Sequence, residues 1–308
     1  MKTGDETTIP LPGTGAIPCP FRENWLLAPA TRYRIGGPAR LALFPRSTEE
    51  LQAAWAWAVG QPVPRLILGG GSNVLISDAG FPGVVLVTTE LRGIRDRGNH
   101  RFLVSAGEPL DRLVREVMLR NNYAGVGALT GIPGTVGGAV FMNAGTVNGA
   151  ICDFLESVLL FGPSGPRTVT MEPSLYGYRQ QSFLMPDEII AEGSFHFTPA
   201  SENQQEIYDH YIQRRKEKQP GGWCCGSVFK NPPGDHAGRL IESCGLKGVR
   251  RGGAVISPVH ANFIMNEHQA TCRDVLYLIR LIRRTVRDRY GIELEPEVRI
   301  IGETLDLD

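Results

Sequence analysis

The chain has 308 residues, 42% of them hydrophobic, and its 32 lysines and arginines balance 32 aspartates and glutamates. This length suits roughly two domains of about 150 residues each, with enough apolar side chains for a core in both. The balanced charge gives no global field that would favour nucleic acid or an anionic membrane as the partner.

Targeting and metal signals are missing from the sequence. Residues 1–20 lack the apolar core of a signal peptide, and no apolar run reaches 18 residues, so we expect a cytoplasmic protein without a membrane segment. The six cysteines have no C-x-x-C spacing, which argues against a zinc site and a disulfide framework. Cys224 and Cys225 are adjacent, and vicinal cysteines are poorly placed for an unstrained mutual disulfide.

Periodicity and capping residues predict an alternation of helices and strands along the chain. In the first 200 residues, helices are predicted at 47–59 and 109–120, and strands at 65–68, 74–76, 84–88, 154–161 and 189–197. Later helices are predicted at 202–215, 235–245 and 273–290, with a final strand at 292–301. Because the composition changes near residue 200, we place a domain boundary there.

Two glycine-rich loops follow predicted apolar segments. Residues 69–73 read GGGSN, and their backbone N–H groups, free of Cβ obstruction, form a suitable nest for a pyrophosphate. Residues 131–139 read GIPGTVGGA and can approach a flat or anionic ligand in the same way. Either loop could instead be a simple tight connection. Neither fits the Rossmann or P-loop pattern, and G-x-S-x-G is absent.

A third stretch, residues 225–232, places a hydroxyl, an ammonium and a carboxamide close together, at Ser227, Lys230 and Asn231. If this stretch is extended, Ser227, Phe229 and Asn231 share one face because side chains alternate along a strand. Such a run can bind a polar ligand and donate a proton. The alternative is that Ser227 is merely a satisfied hydroxyl beside a turn.

Taken together, the ordered blocks of this chain resemble the UDP-N-acetylenolpyruvoylglucosamine reductase family. The match spans residues 24–302. Its blocks are TRYRIGGPA (31–39), LGGGSNVLISD (68–78), GIPGTVGGAVFMNAG (131–145), YGYR (176–179), GSVFKNP (226–232), residues 237–248, HANF (260–263) and LEPEVRIIG (294–302).

The resemblance implies an α+β fold with an FAD-binding domain of the vanillyl-alcohol-oxidase type, made of two subdomains. It places this domain at residues 21–199, split near residue 90, between a flexible tail at 1–20 and a C-terminal α+β substrate-binding domain at 200–308. FAD would be bound noncovalently by the two loops. The implied contacts are Gly69, Gly70, Gly71, Ser72 and Asn73, and Gly131, Ile132, Pro133, Gly134, Thr135, Gly137, Gly138 and Ala139.

The resemblance also implies a reaction. NADPH would reduce the flavin, and the enolpyruvyl group of UDP-N-acetylglucosamine enolpyruvate would then be reduced to give UDP-N-acetylmuramate, a peptidoglycan precursor. Such chemistry needs a group that stabilises an enolate and an acid that protonates carbon. The matched positions are Arg179 and Glu297 at the substrate carboxylate and Ser227 as proton donor. Lys218, Asn231 and His260 match positions close to substrate.

Several alternatives stay open at this point. Glu297 could pair with Arg299 along one strand face, and Arg179 could be a surface cation. The protein could be a flavin-dependent oxidase of the same fold, or a noncatalytic FAD or nucleotide-sugar binding paralogue. Only 47 residues separate Arg179 from Ser227, which implies the shorter subclass without a substrate-covering insertion. We expect a monomer.

Overall fold

The computed structural model describes residues 17–305, so most of the tail expected at residues 1–20 lies outside the described residues. Near the start of the described part, Cys19 is buried in the core. The described residues form three packed units that together surround one large cavity.

The first unit is a four-stranded sheet with one helix. Its elements are β1 (Phe21–Leu26), β2 (Pro38–Leu43), α1 (Thr48–Val59), β3 (Arg65–Leu68), β4 (Val74–Ile76) and β5 (Phe81–Val87), with 3₁₀ turns at Ala28–Ala30 and Thr88–Glu90. The sheet order is β1-β2-β5-β3, which leaves β3 at an edge. As predicted, α1 begins after Ser47, whose hydroxyl accepts a hydrogen bond from the Glu50 N–H, and ends at Gly60.

The second unit is built on a five-stranded antiparallel sheet of order β11-β10-β14-β7-β6. Its elements are β6 (Ile94–Gly98), β7 (Arg101–Ser105), α2 (Leu110–Arg112), a π-helix (Leu113–Leu119), α3 (Val126–Leu129), α4 (Val136–Phe141), β8 (Gly145–Thr146), β9 (Gly149–Ala150), β10 (Leu155–Gly162), β11 (Gly165–Thr170), β12 (Tyr176–Gly177), β13 (Gln180–Gln181) and β14 (Ile189–His196), with 3₁₀ turns at Ile151–Phe154 and Pro173–Leu175. The helix predicted at 109–120 is therefore present, but most of it is π-helical.

The first two units share one hydrophobic core, in which α1 lies between the sheets. Its apolar stripe, which includes Leu51, Ala54 and Ala58, is fully buried against residues of both units. Burying a side chain of this kind contributes about 1.5–3 kcal/mol for a residue as large as leucine. This shared core holds the two sheets in a fixed arrangement, and the cavity lies where the units meet.

The third unit packs helices on a three-stranded antiparallel sheet. The helix α5 (Gln204–Lys218) comes first in the chain and packs against α3 of the second unit. The other elements are α6 (Ala237–Ser243), β15 (Arg250–Arg251), β16 (Ala254–Ile256), β17 (Ile264–Asn266), α7 (Cys272–Tyr290) and β18 (Arg299–Ile301). As predicted, α7 ends at Gly291, and it begins with a capping box formed by Thr271 and Asp274. The helix predicted from Asp235 begins instead at Ala237, because the Asp235 carboxylate accepts from the His236 N–H and pairs with Arg239.

The strand predicted at 292–301 is wrong in length, since only Arg299–Ile301 is a strand. The residues just before this strand do not form a regular strand ladder, because their backbone groups bond to residues 228–230. The Lys230 N–H donates to the Glu295 carbonyl, and the Glu297 N–H donates to the Val228 carbonyl. β18 then pairs in parallel with β4 of the first unit. Glu297 therefore lies where the first and third units join.

The core of the third unit also includes Tyr33, Ile35 and Leu75 from the first unit. Chain segments before and after residue 200 thus pack together, and the boundaries proposed near residues 90 and 200 stay predictions. The 225–232 stretch forms no regular strand: Gly226 has a φ of +84° and Phe229 makes only an isolated bridge to Pro296, so the condition for the alternating face is not met.

Candidate active site

One cavity of about 1280 Å³ is lined by all three units. The predicted residues that line it are Gly69, Gly70, Gly71, Ser72, Asn73, Gly131, Ile132, Pro133, Thr135, Gly137, Gly138, Ala139, Arg179, Lys218, Ser227, Asn231, His260 and Glu297. Gly134 is not a lining residue but packs against Ser72 and Gly70. The structure thus brings residues that are more than 200 positions apart in sequence into one site.

The two glycine loops touch each other. A Cβ at Gly70 would lie 2.8 Å from the Gly134 Cα, and a Cβ at Gly69 would lie 2.5 Å from the Thr135 Oγ1. Gly134 itself has a φ of +117°, which an L side chain rarely adopts. Glycine is therefore required here so that two backbone segments can form one wall of the cavity.

Thr135 provides a test of whether this wall suits a phosphate-bearing cofactor. Its Oγ1 is buried and has no hydrogen-bond partner among the described residues. A buried hydroxyl left unpaired is costly, so a ligand oxygen beside the loops would satisfy it. The residues present therefore fit the phosphate and ribityl region of FAD.

The Ser227 backbone is fixed by a buried asparagine. The Asn262 side chain accepts from the Phe229 N–H at 3.0 Å and donates to the Phe229 carbonyl at 2.8 Å, while its backbone carbonyl accepts from the Val228 N–H at 2.8 Å. Asn262 is nearly fully buried, so these bonds are shielded from water. The segment that carries Ser227 is thereby held rigidly at the cavity wall.

Glu297 is positioned by both neighbouring segments. Its N–H donates to the Val228 carbonyl at 2.7 Å, and its carbonyl accepts from the Asn73 side chain at 3.0 Å. Burial raises the pKa of the Glu297 carboxyl, and the positive charges of Arg179 and Lys230 oppose that rise. Burial has the larger effect, which favours the protonated form more than in water.

Arg179 pairs with Glu297 across the cavity. Its Nε donates to the Glu297 Oε1 at 2.9 Å and its guanidinium also donates to the Gly145 carbonyl at 3.0 Å. Arg179 has a φ of +57° in the turn between β12 and β13, and the ring of Tyr178 lies 5.1 Å from its guanidinium carbon. The two simpler alternatives, an ion pair of Glu297 with Arg299 and an Arg179 free at the surface, are both wrong.

The remaining predicted residues lie around this pair. Lys218 is the last residue of α5, and the Asn231 carboxamide accepts from the Ala237 N–H at 3.1 Å. Nδ1 of His260 accepts from the Asn262 N–H at 3.2 Å, which leaves Nε2 as the protonated ring nitrogen. Burial, together with the charge of Lys247, lowers the pKa of His260. His260 is therefore a neutral donor near neutral pH.

Arg215 and Arg299 are among the arginines of the site that the sequence analysis did not predict. Arg215 and Arg299 both line the cavity, and among the described residues no carboxylate lies within ion-pair distance of either. Partial burial lowers the pKa of Arg215, and Arg299 lies 4.9 Å from the ring of Phe141. Only their position in the folded chain distinguishes them from the surface arginines of α5 and the C-terminal segment.

Cys224 and Cys225 are both buried with free thiols, directly before Gly226 and Ser227. Burial raises the pKa of the Cys225 thiol to about 12. A thiol with so high a pKa has little thiolate at neutral pH and is a poor nucleophile.

Within residues 17–305, no group of three or more metal-ligating side chains is close enough to hold a metal ion. In the same part of the chain, no helix is long and apolar enough to cross a membrane.

The site and fold together define a flavoprotein with two functional parts. Residues 39–170 match the family described as "FAD binding domain", and residues 217–301 match "UDP-N-acetylenolpyruvoylglucosamine reductase, C-terminal domain". The first match includes both glycine loops and the second includes Ser227 and Glu297. The expected α+β fold, with an FAD-binding domain and a C-terminal domain, is confirmed.

Whole-length relatives identify the family. The UDP-N-acetylenolpyruvoylglucosamine reductase of Synechococcus elongatus is 40% identical over 285 residues, which cover 91% of this chain and 94% of the relative. That of Syntrophotalea carbinolica is 42% identical over 275 residues, 89% of this chain and 91% of the relative. The chain belongs to the UDP-N-acetylenolpyruvoylglucosamine reductase family.

A solved structure is similar over nearly the whole chain. It is the UDP-N-acetylenolpyruvylglucosamine reductase from Thermus caldophilus, with a TM-score of 0.77 and 36% identity. The similarity covers 90% of this chain and 97% of that one. Membership of the shorter subclass stays a prediction.

Proposed function

We propose that this protein reduces the enolpyruvyl group of UDP-N-acetylglucosamine enolpyruvate to give UDP-N-acetylmuramate, with noncovalent FAD as cofactor and NADPH as hydride source. The observation that carries the proposal is the convergence of Arg179, Ser227 and Glu297 on the cavity that the two glycine loops enclose. Bound FAD would supply hydride transfer there, from NADPH to the methylene carbon of the substrate.

Arg179 and Glu297 would recognise the carboxylate of the enolpyruvyl group. A guanidinium presents two parallel N–H donors that match a carboxylate, and Arg179 already uses its Nε toward a carboxylate oxygen of Glu297. As negative charge develops on the substrate carboxylate during reduction, Arg179 stabilises it electrostatically. Glu297, with its raised pKa, donates a hydrogen bond to that charge when protonated.

Ser227 would give the proton that completes the product. Addition of hydride to the methylene carbon leaves charge on the neighbouring carbon and its carboxylate, and the Ser227 Oγ–H supplies the missing proton there. A serine hydroxyl is a weak acid, so it works only toward a strongly basic carbon and with nearby donors that stabilise the alkoxide. The rigid backbone around Asn262 keeps the hydroxyl at a fixed position.

Lys218 and Asn231 would bind the anionic diphosphate sugar, since an ammonium and a carboxamide supply hydrogen-bond donors to phosphate oxygens. His260, neutral and with a free Nε2–H, would donate a hydrogen bond near the reacting groups. All three residues line the same cavity as Ser227.

The proposal is tested by anaerobic stopped-flow measurements of the purified protein at the flavin absorbance. We expect yellow protein whose flavin is released by acid precipitation, is reduced by NADPH, and is reoxidised by the enolpyruvyl substrate. In a separate aerobic measurement, reduction of the flavin by an alcohol followed by rapid reoxidation by oxygen would indicate the oxidase alternative. Flavin that binds but is not reduced by NADPH would indicate a noncatalytic paralogue.

A further inference from the structure

Beyond the glycine loops, the cavity is also lined by residues beside the start of β3, and we call this part the far end. Its far end is lined by Trp55, Arg65, Leu184, Met185 and Asp187. None of these residues takes part in the proposed chemistry, and they come from the first and second units, on either side of the cavity. This end is closed by direct contacts between the two units.

Two contacts cross this end, and we refer to them together as the far-end bridge. Arg65 Nη2 lies 2.9 Å from Asp187 Oδ1, and the Trp55 indole N–H donates to the Asp187 carbonyl at 2.7 Å. Asp187 has a φ of +60°, a conformation that is costly for a residue other than glycine. Arg65 Nε is buried without a partner among the described residues, which leaves one donor for a ligand oxygen.

The loop that carries Asp187 is anchored on its other side as well. Glu188 pairs with Arg167 of β11 in its own sheet, at 2.7 Å and 3.0 Å, and also accepts from the Met185 N–H at 2.8 Å. The two neighbouring acids therefore bind to different units: Glu188 binds Arg167 within the second unit, and Asp187 binds Arg65 of the first unit. Loss of the Asp187 side-chain contact would leave the loop attached to Arg167 and to the Trp55 indole but held less tightly against Arg65.

Distances along two strands indicate which part of FAD lies here. β3 runs from Arg65 to Leu68 and leads directly into the first glycine loop, so Arg65 is about 13 Å from Gly69. On the other side, Gly137 N–H donates to the Ala106 carbonyl and Ala106 N–H donates to the Ala191 carbonyl. Asp187 lies two residues before β14 and four before Ala191, so the two residues are at most about 14 Å apart.

FAD extends in two directions from its pyrophosphate. With the pyrophosphate at the glycine loops and the isoalloxazine toward Ser227, the adenosine half must extend the other way, toward β3 and the start of β14. The roughly 13 Å between the glycine loops and the bridge leaves room for an adenosine group. The far-end bridge then lies directly behind that group.

We propose that the far-end bridge closes the cavity behind the adenosine half of FAD and sets the rate at which the cofactor enters and leaves. The proposal rests on FAD as the cofactor of the proposed function. Because the bridge is already formed across the cavity, it obstructs entry as well as exit. Breaking the bridge therefore raises the rate constants for association and for release of FAD. Because the affinity depends on their ratio, it changes less than either rate constant.

The test uses Asp187→Asn in the full chain, which removes the charge and keeps the shape of the side chain. Association and release of FAD are followed by flavin fluorescence in stopped-flow experiments. Both rates should rise about three- to tenfold, the scale of a partly exposed ion pair. FMN, which lacks the adenosine half, should show unchanged rates. In the parent, high salt should raise the FAD rates toward those of the variant.

Glu156→Gln is the matched control, because it breaks the Arg101–Glu156 ion pair of similar exposure outside the cavity. Its FAD rates should equal those of the parent. Equal effects of Asp187→Asn on FAD and FMN would show a general structural role and overturn the proposal. Unchanged FAD rates, or faster release with unchanged association, would overturn it too. Failure of the parent to bind FAD at all would instead contradict the proposed function.

Discussion

Two walls of the cavity meet at Asn73, and one presents mainly backbone atoms whereas the other presents side chains. On one side, the glycine loops present backbone groups so crowded that Gly70 and Gly134 leave no room for a Cβ. On the other side, the reactive end consists of side chains, Arg179, Ser227 and Glu297, brought from separate segments by long-range hydrogen bonds. Changes in the loops should therefore alter cofactor binding, whereas changes at the reactive end should alter chemistry while FAD stays bound.

The largest expected effect comes from Ser227→Ala. The change removes the proposed acid and little volume, so reoxidation of the flavin by the enolpyruvyl substrate should slow by about 10² to 10⁴-fold, the usual scale for a lost general acid. Reduction by NADPH needs no proton from Ser227 and should stay near the parental rate. Anaerobic stopped-flow measurements separate the two half-reactions. Reoxidation at the parental rate would exclude Ser227 as the acid and direct attention to His260 and Lys218.

Arg179→Lys is expected to have the next largest effect. Lysine keeps the charge but not the planar fork of N–H donors, so it cannot bind a carboxylate through two parallel hydrogen bonds. Reoxidation by substrate should slow by about 10- to 100-fold, the worth of one or two charged hydrogen bonds. Flavin reduction and FAD affinity should change much less. Equal turnover of variant and parent would show that Arg179 does not bind the substrate carboxylate.

Gly70→Ala tests the other wall. The new Cβ would lie 2.8 Å from the Gly134 Cα, so the two loops must separate. We expect FAD affinity to fall about 5- to 150-fold, as for overpacking that costs about 1–3 kcal/mol, while turnover at saturating FAD changes less. Equilibrium titration by flavin fluorescence measures this. Gly221→Ala is the control, since a Cβ there meets open space. Loss of turnover with unchanged FAD affinity would contradict the division between the two walls.

The same contrast explains what the sequence could predict. The glycine loops are local patterns, and all but one of their predicted contact residues line the cavity. The helix at 48–59 was predictable because its cap and its end are local as well. By contrast, nothing near Arg179 in the sequence points to Glu297, which lies 118 positions away and depends on the Asn73 and Val228 contacts. Only the family resemblance indicated that pair.

Failures of the sequence predictions have the same origin. The final strand was predicted too long because backbone groups of residues 295–298 form hydrogen bonds with residues 228–230. The periodicity of the sequence gives no sign of this long-range contact. Arg215 and Arg299 resemble ordinary surface arginines in sequence and become site residues only through the packing of three units. Arg65 and Asp187 are likewise 122 positions apart and come together across two sheets.

The smallest expected effect concerns the pH dependence of stability. Burial raises the pKa of Glu297 above its value in the unfolded chain, so the folded state binds that proton more tightly. The resulting stabilisation is fully present below the ordinary glutamate pKa and is lost as pH rises through the raised pKa. The free energy of unfolding of the parent, relative to Glu297→Gln, should therefore decrease between pH 4.5 and pH 8.

Urea unfolding of the FAD-free proteins measures that difference. Ser227→Ala is the control, because it changes the same end of the cavity without removing a titrating carboxyl. Its free energy of unfolding should differ from that of the parent by the same amount at both pH values. If the parent instead gains stability relative to Glu297→Gln as pH rises, the attraction of Arg179 outweighs burial. Glu297 would then be a permanent anion, and its part in stabilising the developing charge would pass to Arg179 alone, with Glu297 serving only to orient it.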